Sequence, residues 1–135
     1  MTANVDPIFP LTPKSAWATL TTANAAKDGT GTVNTVCTAG PNGEYVESIT
    51  AIPIGTNVAS VLRVFINNGS TNATATNNSL RWEVSLPGTT LTDVTAQVPV
   101  TIPIQKAIPA NYKLNVVLGT AVAAGWQVTC DSDSY

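Results

Sequence analysis

The feature that most constrains this chain is a hydrophobic period of two. In Leu80-Arg81-Trp82-Glu83-Val84-Ser85-Leu86 the apolar residues Leu80, Trp82, Val84 and Leu86 alternate with Arg81, Glu83 and Ser85. Successive side chains of an extended strand point to opposite faces, so such a segment buries one face and wets the other. Tyr112 to Leu118 repeats the pattern with Tyr112, Leu114, Val116 and Leu118, and Gly125 to Asp131 repeats it with Trp126, Val128 and Cys130. Val98, Val100, Ile102 and Ile104 form a further stripe, with Pro99 and Pro103 on the opposite face. Proline donates no ladder hydrogen bond, which places this strand at a sheet edge. Almost nothing in the chain reads at helical period.

Four more strands are predicted upstream, at Ala16 to Thr22, Thr32 to Thr38, Glu44 to Ile54 and Ala59 to Asn67. In the third the apolar phase shifts between Val46 and Ile49, and a bulge near Glu47 or Ser48 would repair it. Gly40-Pro41-Asn42-Gly43 and Pro87-Gly88 supply turn chemistry. Eight short strands joined by Gly, Pro and Asn turns predict an all-β fold, an antiparallel β-sandwich of jelly-roll type. Its predicted core holds Leu80, Trp82, Val84, Leu114, Val116, Trp126 and Val128. Asn67 to Asn78 is polar and uncharged, the pattern of an exposed loop. Residues 1–14 read as an extended arm, because Pro7, Pro10 and Pro13 punctuate Ile8, Phe9 and Leu11, and residues 15–135 as the sandwich domain. The apolar arm packs either on its own domain or across a neighbouring subunit.

Composition narrows function. The chain has no histidine and only 10% charged residues, which removes Ser-His-Asp and Cys-His nucleophilic arrangements and the usual general base near neutral pH. No catalytic residue, cofactor or metal site is assigned. Asp131-Ser132-Asp133 offers too few oxygens for calcium, two cysteines supply half a zinc site, and Glu44 with Glu47, or Glu83 with Asp93, read as scattered surface acids rather than a glycosidase pair. A net charge of −2 without a basic cluster argues against nucleic acid and anionic membranes. No segment has the length and apolarity to span a bilayer, and the first residues lack a secretory pattern, so a cytosolic product is expected. Cys37 and Cys130 then read as buried core thiols, a bridge being disfavoured there. The sequons at Asn68, Asn72 and Asn77 are expected to stay unmodified.

Several strings occur in order: Thr22-Ala23-Asn24, Lys27-Asp28-Gly29-Thr30-Gly31-Thr32-Val33, Thr38-Ala39-Gly40-Pro41-Asn42-Gly43, Leu62-Arg63-Val64-Phe65-Ile66-Asn67-Asn68-Gly69 and Ile108-Pro109-Ala110-Asn111-Tyr112-Lys113-Leu114. Together they resemble a family of small virion structural proteins of tailed bacteriophages, head-associated β-sandwich proteins encoded beside the head genes. The resemblance covers roughly Ala16 to Val128. It implies synthesis in the host cytoplasm, location on the virion, and decoration of the capsid surface with the major capsid protein as partner and a homo-oligomer, a trimer in preference, as the assembled form. Asn111, where related sequences carry glycine, and the long Asn68 to Asn78 loop depart from the pattern. The partner-binding residues expected on this reading are Ile8, Phe9, Leu11 and Trp17. The alternative is a fibre or tail-tip adhesin, a carbohydrate-binding module whose stacking platform would be Trp17, Tyr45 and Tyr135.

Overall fold

Alternation becomes eight strands in the computed structural model, which describes residues 9–135: β1 (Thr12–Leu20), β2 (Asn34–Thr38), β3 (Glu44–Pro53), β4 (Ser60–Asn67), β5 (Asn78–Leu86), β6 (Val100–Ile108), β7 (Lys113–Leu118) and β8 (Trp126–Ser134). A single 3-10 turn, Ala75–Asn77, is the only helical element among the described residues. No helix there is long and apolar enough to cross a membrane.

The strands form two four-stranded sheets, ordered β1-β8-β3-β6 and β2-β7-β4-β5. The pairs β1–β8, β2–β7, β3–β6 and β4–β5 are all antiparallel. The chain is thus one long hairpin, closed at the β4–β5 turn and rolled so that alternate pairs fall in opposite sheets, which is the jelly-roll arrangement. Between the sheets Val46, Ile49, Leu62, Val64, Leu114, Val116, Trp126 and Val128 are fully buried. Each contributes about 1.5–3 kcal/mol by leaving water.

The bulge expected in β3 is present, with Glu47 as the extra residue: the register shifts between Val46 and Ser48 against both neighbours. β6 lies at a sheet edge, as its prolines require. It starts at Val100 and runs to Ile108, which leaves Val98 outside the ladder and 74% exposed. β1 begins at Thr12, so Thr12, Pro13 and Lys14 belong to the sheet rather than to the arm.

Leu80 is a correction to the expected core. Val64 pairs with Trp82 and Phe65 with Leu80, which leaves Arg81 as an inserted bulge residue. The bulge reverses the phase of the strand, so Leu80 falls beside Phe65 on the outer face and is 36% exposed. Trp82 and Val84 keep the inner face but are only half-buried, because β5 is an edge strand.

The outer faces of the two sheets are treated differently. On the second, Arg63, Phe65, Asn67, Asn115 and Val117 are buried although they point away from the core. The chain's own loops close this side. Asn24 N–H donates to Leu118 O, and Asn72 Nδ2 donates to Gly29 O and Gly31 O. Asn78 Nδ2 reaches Asp28 O and Asn72 O, while Asn67 Nδ2 donates to Asn78 Oδ1. The Asn67 to Asn78 segment is indeed mostly exposed, yet asparagine amides stitch it into a fixed hairpin. The outer face of the first sheet carries no such cover.

Candidate docking surface

β1 is where this bare face meets a sheet edge. Its register with β8 runs unbroken from Thr12↔Ser134 to Leu20↔Trp126, and Leu11 N–H extends the ladder to Ser134 O at 2.8 Å. Alternation sends Pro13, Ser15, Trp17 and Thr19 outward, and Ser15 Oγ accordingly donates to Asp131 Oδ1 on that face. Lys14, Ala16, Ala18 and Leu20 point the other way.

The inward side holds the strand in place. Lys14 Nζ donates to Glu44 Oε2 at 2.9 Å, and Glu44 also accepts from Ser132 Oγ at 2.5 Å, Ser134 Oγ at 2.8 Å and Gly40 N–H at 3.3 Å. Glu44 is wholly buried while Lys14 stays partly in solvent. Burial pushes this carboxyl up, but the hydrogen bonds from Ser132, Lys14 and Ser134 together outweigh it and hold it below its ordinary value. The cluster ties β1, β3 and β8 together at one end of the sandwich.

Of the residues expected to bind a partner, Ile8 lies outside the described residues. Phe9, Leu11 and Trp17 are 66%, 79% and 63% exposed. The structure sets Leu11, just before β1, in alternation with Trp17 within it, with Ile52 of β3, 44% exposed, on the same sheet face. Trp17 and Tyr45 share that sheet but not one spot, and Tyr135 lies just past the end of β8. Trp17 pairs with Thr129 and Tyr45 with Asp133, a separation of roughly 13 Å along β8. Asp131 stands between them.

Sequence reasoning missed how the four sheet edges differ. β2 is five residues long and its register breaks between Thr35 and Cys37. β5 carries the Arg81 bulge. β6 holds Pro103, a register break, and Gln105 at φ 46°. Each of these is a device that discourages a further strand from pairing. β1, nine residues long like β5 and β6, alone of the four edges has an unbroken register, guarded only near its start by Pro13 and Lys14.

Comparison of the chain with protein-family models, with curated proteins and with solved structures found no match.

Proposed function

We propose that this chain is a tailed-phage virion structural protein that decorates the outer surface of the capsid lattice and stabilises it, with the major capsid protein as partner and β1 as the docking element. The observation that carries the reading is the combination on β1 of an open, regular edge with exposed Leu11 and Trp17. An open edge offers unpaired backbone N–H and C=O groups to an added strand, and the apolar side chains supply burial on docking. The Lys14–Glu44 cluster fixes the strand beforehand, so less conformational freedom is lost on binding. A footprint of about 800 Å² per subunit would reach ordinary interface size. Repetition over a lattice, or within a homo-oligomer such as a trimer, then multiplies the affinity. A jelly roll is used by capsid proteins and lectins alike, so the fold supports the class and the edge supports the role.

The fibre or tail-tip adhesin is the second reading, favoured by the exposure of Trp17 on a flat sheet. Sedimentation of the protein with particles that lack it separates them. Wild type should co-sediment in hundreds of copies per particle, on the order expected for lattice decoration, and Trp17→Asp, Leu11→Asp or removal of residues 1–11 should abolish this while the melting temperature holds. Full occupancy by these variants would overturn β1 as the docking element, and binding in a handful of copies would favour the adhesin.

A further inference from the structure

The Arg81 bulge has a second consequence, on the side of the sandwich away from β1. β1 ends one sheet and β5 ends the other at the opposite flank. Between β5, the asparagine hairpin and Tyr112 lies a pocket of about 340 Å³, lined by Ile66, Asn68, Thr76, Ser79, Arg81 and Tyr112 among others. Its size falls in the range of small-molecule sites.

Three observations define what the pocket accepts. Arg81 is the residue that the bulge displaces from the ladder, its guanidinium lies 5.8 Å from the Trp82 ring centroid, and neither salt bridge among the described residues involves it, those being Lys14–Glu44 and Arg63–Glu83. Among the described residues it is an exposed cation without a carboxylate, resting over the Trp82 ring, and its planar guanidinium suits two-pronged recognition of one. Tyr112 and Ile66 give an aromatic and aliphatic patch against which the C–H face of a ring can rest. Thr76 and Ser79 add hydroxyl groups for ligand hydroxyls.

The wall is also built in advance. Asn68 Nδ2 donates to Asn77 Oδ1 at 3.2 Å and Asn77 Nδ2 to Thr71 O at 2.8 Å. Each of these bonds takes one hydrogen of a side-chain amide and fixes the orientation of Asn68 and Asn77. Asn78 Nδ2 is spent on backbone carbonyls in the same way.

We propose that this pocket binds a sugar unit bearing a carboxylate, a hexuronate or similar acidic sugar, with Arg81 on the carboxylate, Tyr112 under the ring and Thr76 and Ser79 on its hydroxyls. The assignment is independent of docking through β1. A neutral sugar leaves Arg81 without its partner, and a simple carboxylate leaves Tyr112 and the hydroxyls without theirs.

The test is amide-shift titration of the full chain with D-glucuronate, D-glucose and acetate, on wild type, Arg81→Gln and Arg81→Lys, with Lys106→Gln as a control for an exposed cation elsewhere. Glucuronate should give saturable shifts at Thr76, Ser79 and Arg81 and bind at least tenfold more tightly than glucose or acetate. Arg81→Gln should weaken it by about tenfold or more, the loss expected for one charge-assisted contact, Arg81→Lys should weaken it less, and Lys106→Gln should leave it unchanged. Each variant's spectrum outside the pocket should match wild type, which shows that the fold is intact. No saturable shift with glucuronate, equal binding of acetate or glucose, or an unchanged affinity in Arg81→Gln would overturn the proposal.

Discussion

Glu44 shows how one buried carboxylate couples acidity to the anchoring of β1. Its folded value lies below the ordinary 4.5, so the stability it supplies is fully present above about pH 4.5 and drains away as pH falls through the lowered value. Glu44→Gln should therefore lose about 1.5–3 kcal/mol at neutral pH, the worth of a hydrogen bond to a charged group, and should flatten the acid limb of the stability curve; urea unfolding at several pH values checks both. Trp126 and Trp82 make a second pair of expectations. Trp126 is fully buried and Trp82 only half-buried, so Trp126→Ala should cost about 3–5 kcal/mol and Trp82→Ala clearly less, measured by the same unfolding curves. Cys37 and Cys130 are free and buried. Their proximity lowers the Cys37 thiol and, with burial, raises the Cys130 thiol; because both side chains are shut off from solvent, a thiol reagent should label the native protein only at the rate of unfolding, and a strong reductant should leave the melting temperature unchanged.

At the scale of elements, the strands were legible because period-two alternation is a direct trace of one-sided burial. Of the seven expected core positions six face inward; Leu80 fails because a single inserted residue, Arg81, leaves no mark in the alternation of the sequence. The β3 bulge was legible for the opposite reason, since there the apolar phase itself slips. The asparagine hairpin was read only as polar and exposed. What the sequence did not reveal is that Asn72 and Asn78 use their amides to bind distant carbonyls, contacts that depend on tertiary placement. Gly29 sits beneath this stitching at φ 79°, and an added Cβ would lie 2.6 Å from Asn78 Cβ. Gly29→Ala should accordingly destabilise the protein by about 1–3 kcal/mol. Asn78→Ala should speed amide exchange in segments 28–31 and 72–74 while leaving β3, β7 and β8 protected. Equal loss of protection across both sheets would show instead that the hairpin folds as one unit with the core.

At the scale of the whole molecule, the rolled hairpin produces one covered sheet and one bare sheet, and four edges of which three are disrupted. The candidate site was partly legible: Leu11 and Trp17 stand out as apolar residues near the start of the chain, but the open edge that joins them into a surface depends on strand order, which no local pattern encodes. An electron-microscopy map of the phage particle proposed to carry this protein decides whether that surface docks. The expected result is a jelly-roll density repeated over the outside of the head lattice, with β1 and the bare sheet against the capsid and the Arg81 pocket facing solvent. Density confined to a fibre or tail tip, or a decorating domain whose β1 edge points away from every neighbour, would contradict it.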